Sequence, residues 1–120
     1  MIRLWWEMKL ISINNSRRGR WSMASLAKIQ RQRALLEVAN KIEQEGLPPG
    51  PPYKITIVRH GKRKLDSDNL AASAKFVRDG VADALGIDDG DDSLATWHYM
   101  QEPGQYMVEV IIDCRAVEND

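Results

Sequence analysis

The sequence predicts an α+β domain in which two helices pack on a mixed sheet, with elements in the order βαβαββ. Three observations carry that expectation. Residues 53–57 and 106–112 alternate apolar and polar side chains with the period of two that a half-buried strand requires. Residues 22–45 and 67–85 instead bring apolar side chains back every three or four positions, the period of a helix buried along one side. Glycine and proline punctuate the joins, and 120 residues is the size of one domain, long enough to bury roughly two thirds of its unfolded surface.

The first strand is expected over residues 8–13, where alternation is weak. Met8 begins a plausible chain of its own, so residues 1–7 are expected to be an extension outside the core. The segment Asn14, Asn15, Ser16, Arg17, Arg18, Gly19, Arg20 is turn-prone and basic, and reads as a loop suited to phosphates. Residues 22–45 contain no Gly or Pro, and Ala27, Ala34, Leu35, Val38, Ala39 and Ile42 mark the apolar side of a long helix. Gly46 is a natural stop, and the four prolines between Leu47 and Tyr53 forbid helix. Tyr53, Ile55 and Ile57 then begin a strand that should end near His60 and Gly61. A second helix is expected from Ser67 or Asp68 as N-cap to Gly86, with Leu70, Ala74, Val77, Val81, Ala84 and Leu85 facing inward. Residues 94–100 read as a strand, Glu102, Pro103, Gly104 and Gln105 suit a type II turn, and Tyr106, Val108, Val110 and Ile112 alternate along a final strand.

Formal net charge is zero, but the charges are segregated. Residues 1–64 hold 14 Lys and Arg against 4 Asp and Glu, and residues 65–120 hold 3 against 13. The basic half suits a polyanion and the acidic half a cation. Cys114 is the only cysteine, which excludes an intramolecular disulfide and a cysteine-based zinc site within the chain; it reads as a small apolar filler. Arg3, Glu7 and Lys9 interrupt the early apolar residues, too soon for a secretory or membrane segment. A soluble, cytoplasmic protein without a membrane partner is expected.

The chemistry concentrates in Lys62, Arg63, Lys64, Leu65, Asp66, Ser67, Asp68, Asn69. Hard divalent cations want oxygen ligands, and a phosphate wants Lys or Arg beside it, so an Asp-x-Asp pair behind a cationic run is a group able to hold a metal ion against a phosphate. The plainer alternative is helix capping, worth about 1 kcal/mol. Asp88, Asp89, Asp91 and Asp92 form a second acidic cluster, open to two readings: cation binding or a solvated turn. An EF-hand is excluded, because the required Gly and Glu positions fall on Ala71 and Val77 from Asp66, and on Ser93 and Tyr99 from Asp88. Lys75 follows Asp68 by seven residues and so nearly shares its side of a continuous helix, from which its ammonium is expected to approach the metal site as a catalytic group; the alternative is an ion pair with Asp79. His60 and His98 lack a Ser or Cys partner at triad spacing, and no Gly-rich phosphate loop is present. Trp21, Trp97 and Tyr99 are candidates for base stacking or for core.

The cationic run followed by Leu65, Asp66, Ser67, Asp68, Asn69, Leu70, then Lys75, Asp79 and the segment Asp91, Asp92, Ser93, Leu94, resembles the RusA family of Holliday junction resolvases over residues 53–113. The resemblance implies a homodimeric, Mg²⁺-dependent endodeoxyribonuclease that resolves four-way DNA junctions in recombination and repair, of a kind common in prophages. By position it implies Asp66, Asp68 and Asp92 as catalytic and metal-binding, with Asp91 or Asp89 competing for the third place. The assisting lysine of the family falls on Ala72 here, and Lys75 stands one turn later. Arg17, Arg18, Arg20, Lys62, Arg63 and Lys64 would then supply the DNA phosphate contacts. Two alternatives remain at this point: a non-catalytic nucleic-acid-binding accessory protein of a mobile element, and a divalent-ion phosphohydrolase acting on small nucleotides.

Overall fold

The computed structural model describes residues 1–12 and 20–115. Its elements are β1 (Ile2–Glu7), α1 (Arg20–Glu45), β2 (Tyr53–Gly61), α2 (Ser67–Ser73), α3 (Lys75–Leu85), β3 (Ala95–Pro103) and β4 (Met107–Cys114). The strands form one mixed sheet in the order β1-β4-β2-β3. β4 runs antiparallel to both its neighbours, while β2 and β3 are parallel. The α+β architecture is therefore as expected.

One side of the sheet carries the core. Ile2, Leu4, Trp6, Ile55, Ile57, Val108, Val110 and Ile112 meet Ala34 and Val38 of α1 and Val77 and Val81 of α3. α1 and α3 also touch one another closely: a Cβ on Gly80 would stand 2.2 Å from the Arg31 carbonyl oxygen and 2.7 Å from the Ala34 Cβ. Gly46 ends α1 in the left-handed region at φ +80°, and Gly86 caps α3 at φ +68°, both as their positions suggest.

Four expectations are corrected. Residues 1–7 are not an extension: Ile2, Leu4 and Trp6 are buried in β1, which pairs along its length with β4. The alternation Ile2, Leu4, Trp6 is stronger than that of residues 8–12, among which only Leu10 is fully buried. The expected second helix is two, because Ser73 Oγ donates back to the Leu70 carbonyl at 2.7 Å and Ala74 bonds three residues back rather than four. The turn expected at residues 102–105 gives way to strand at Glu102 and Pro103, which still belong to β3, and residues 104–106 carry the chain past the end of β2 to β4, which is not a neighbour of β3. Cys114 is exposed at the end of β4 and fills nothing. Among the described residues no helix is long and apolar enough to cross a membrane.

Candidate nucleic-acid interface

Because β1, β2 and β3 run the same way, their carboxyl ends collect at one edge of the sheet, together with the start of β4. Gly61 stands opposite Pro103 there. The chain leaves β2 into Lys62, Arg63 and Lys64 and then turns into α2. Crevices beyond the carboxyl ends of parallel strands are where sheets of this kind receive ligands. A cleft of about 340 Å³ lies at this edge, lined by Arg59, Gly61, Lys62, Arg63, Lys64, Gln101, Glu102 and Pro103. Beside it the Tyr106 ring lies 4.7 Å from the Lys9 ammonium and 5.9 Å from that of Lys62, an aromatic platform bordered by cations.

Gln101 fixes the approach to the helix. Its amide accepts from Leu65 N at 3.0 Å and donates to the Leu65 carbonyl at 2.7 Å. The next residue, Asp66, is the N-cap of α2, accepting from Asn69 N at 2.9 Å and from Asn69 Nδ2 at 3.2 Å. Capping is thus what Asp66 does in the fold. Asp68 follows in the first turn, exposed, where the helix N-terminus favours a negative charge.

The second acidic cluster stands at the opposite edge. Leu94 bonds through its carbonyl to Tyr53 N at the start of β2, and Ala95 pairs with Tyr53. Nine-residue strands at about 3.3 Å per residue put that edge roughly 26 Å from the other. The cause is topological: α2 and α3 cross over from the end of β2 to the start of β3, so the two ends of the crossover cannot meet within one chain. The loop satisfies itself instead. Asp88 accepts from Gly90 N at 2.9 Å, and Asp91 accepts from Ser93 N at 2.9 Å and Ser93 Oγ at 2.6 Å, bonds that hold the Asp91 carboxyl below its usual range. Arg78 pairs with Asp89 at 3.0 Å, donates to Tyr99 Oη at 2.9 Å and lies 4.8 Å from the Trp97 ring. The backbone carbonyl of Asp92 accepts from Arg115 at 2.6 Å.

Of the residues singled out in the sequence, Lys62, Arg63, Lys64, Asp66 and Asp68 are brought together, and Asp91, Asp92, Asp88 and Asp89 are held apart from them. Lys75 opens α3 beyond the helix break, exposed, and its charge reaches the Asp79 carboxyl. Burial and the nearby Asp89 nevertheless push Asp79 up. Asp83 is held below its usual range by a two-pronged bond from Arg31 at 2.7 and 2.9 Å, so it is a structural partner. Trp97 and Tyr99 pack against the core rather than offering a free stacking face. Arg17 and Arg18 lie outside the described residues, and Arg20 is the first residue of α1.

Among the described residues no group of three or more His, Cys, Asp or Glu is placed to hold a metal ion. Magnesium does not require one: it keeps several waters and is commonly bound through one or two carboxylates together with substrate phosphate. Asp66 and Asp68, two residues apart at the start of α2, are the carboxylates that could serve in that way, and Asp91 and Asp92 of the same chain stand at the other edge. Comparison with protein-family models, curated proteins and solved structures finds no match to this chain.

Sequence reasoning missed Arg59, Gln101 and Tyr106. A signal for Arg59 was present: the inward phase Tyr53, Ile55, Ile57 continues onto it, which places a cation where an apolar side chain is due.

Proposed function

We propose that the protein is a Mg²⁺-dependent, structure-selective endodeoxyribonuclease that acts on four-way DNA junctions, the activity suggested by the resemblance of Lys62 to Leu70 to the RusA motif. The observation that carries the reading is a cleft lined by Lys62, Arg63 and Lys64 at the carboxyl ends of β2 and β3, from which the chain runs directly to Asp66 and Asp68 at the start of α2. Lys62, Arg63 and Lys64 take the phosphates flanking the target bond and orient it. Gln101, by gripping Leu65, fixes where α2 begins and so where both carboxylates stand. Asp66 and Asp68 would hold the magnesium, which would supply an activated water and offset charge in the in-line displacement.

A junction must be nicked twice at symmetric points, which calls for two copies of the chain. In a homodimer Asp92, with Asp91 beside it, enters from the second copy, since within one chain the acidic edge is a strand's length away. The cations of residues 62–64 at one edge and the Asp88 to Asp92 loop at the other favour such an antiparallel pairing. The accessory-protein reading also has an observation in its favour: Asp66 is already occupied as a helix cap and the late acidic loop needs no cation.

A junction built from synthetic strands separates the two. Nicks that require Mg²⁺ and fall a hundredfold or more in Asp68→Asn, beyond the roughly 10–100-fold cost of losing an outer partner, support the enzyme. Binding without nicking by the wild type supports the accessory module.

A further inference from the structure

The cleft has a floor to which the nuclease reading gives no role. Arg59 is 5% exposed, on the helix-covered side of β2. Its Nε donates to the Leu10 carbonyl at 3.0 Å and a terminal nitrogen donates to the Arg63 carbonyl at 2.7 Å. A guanidinium has five N–H groups, so three remain beyond these two acceptors. No carboxylate of the described residues pairs with it, and burial pulls its pKa below the ordinary arginine value, opposed only by the nearby Tyr106. Buried charges are normally paired. Two carbonyls need only a neutral donor, so the charge itself calls for a ligand.

The surroundings specify which kind. Lys62, Arg63 and Lys64 line the same cleft with the Gln101 amide, against the single carboxylate of Glu102. Gly61 keeps the guanidinium in place: a Cβ there would stand 2.9 Å from Arg59 Nη2 and 3.0 Å from its Cζ. We propose that Arg59 is the buried anchor of a phosphate-binding site, in which one phosphate oxyanion enters the cleft between the cations of residues 62–64 and accepts the remaining guanidinium N–H bonds. Planar, forked recognition of this sort is what arginine does better than lysine. The inference deepens the nuclease reading, on which it rests for its natural occupant, by naming where one DNA phosphate is gripped.

The test follows the arginine Nε–H signals of the whole chain by NMR, without Mg²⁺, during titration with inorganic phosphate, with a short duplex, and with the same duplex carrying 5′-phosphates. Arg59, assigned by loss of its signal in Arg59→Lys, should shift saturably with inorganic phosphate. A matching shift with the unphosphorylated duplex assigns the site to backbone phosphate, and a shift only with the phosphorylated one to a strand end. Gly61→Ala, which leaves Arg59 in the chain but displaces its head, should weaken phosphate at least tenfold and lower the salt slope of duplex binding by about one. An Arg59 signal unmoved by all three ligands, or a folded Gly61→Ala that binds phosphate like the wild type, overturns the site. Should Arg59→Lys or Gly61→Ala fail to fold, the wild-type titration still decides, with the signal assigned through its backbone connectivity. Junction nicking is read in parallel. A shifted Arg59 with no nicking keeps the site and removes the nuclease, and nicking with an unmoved Arg59 does the reverse.

Discussion

Glu109 illustrates how single residues set this molecule's response to pH. It is buried at 7% exposure on the side of the sheet away from the helices, paired with the Arg3 guanidinium and 3.1 Å from His60 Nε2. Burial alone would raise its pKa, but Arg3 and His60 together hold the carboxyl below its ordinary value of 4.5. A depressed folded-state value means that the stabilisation is complete above about 4.5 and is lost as pH falls through the folded value. Glu109→Gln should cost on the order of 1–2 kcal/mol at neutral pH and flatten the loss of stability below about pH 4.5, measured by urea unfolding across pH. A mutant whose acid profile parallels the wild type's contradicts the pairing. At the same scale, the motif was legible and its geometry was not. Asp66 and Asp68 announce themselves by type and spacing, whereas Arg59 shows itself only as the cation that succeeds Ile57 on the inward phase of β2.

Elements were legible wherever periodicity was strong and competing signals were few. α1 and β2 match their expected bounds closely because Gly46 and the prolines leave little choice. β1 was misplaced because Met8 suggested a later start of the fold, although Arg3 and Glu7 belong to the outward half of an alternation whose inward half is Ile2, Leu4 and Trp6. Trp6→Ala should therefore cost about 3–5 kcal/mol, and removal of residues 1–7 should abolish cooperative unfolding, since several such side chains together exceed the roughly 5–15 kcal/mol that holds a domain. A truncated chain that melts like the full one would restore the view of residues 1–7 as a tail. The α1–α3 contact is equally specific. Gly80→Ala drives a methyl group into the Arg31 carbonyl, and calorimetry should show a loss of about 1–3 kcal/mol and a Tm lower by roughly 5–15 °C.

For the whole molecule, pattern could foresee an α+β sheet but not its strand order, because whether β3 pairs with β4 or with β2 is decided by long-range packing rather than by either segment's own sequence. That pairing sets the functional geometry. With β2 and β3 parallel, the crossover spreads Asp66 and Asp92 to opposite edges of the sheet. Mixing Asp68→Asn with Asp92→Asn copies should then restore part of the nicking that each lacks alone, since about half of the dimers formed on equal mixing pair the two variants and each of these carries one intact pair of contributions. No recovery on mixing would place both groups' roles within a single chain.

The most direct measurement is a four-way junction incubated with wild-type protein and with Asp68→Asn, in Mg²⁺ and in chelator, with binding recorded alongside. The wild type should give paired, Mg²⁺-dependent nicks, lost a hundredfold or more in Asp68→Asn while junction affinity is kept. Undiminished nicking by Asp68→Asn, or a wild type that binds and never cuts, would contradict the proposed nuclease.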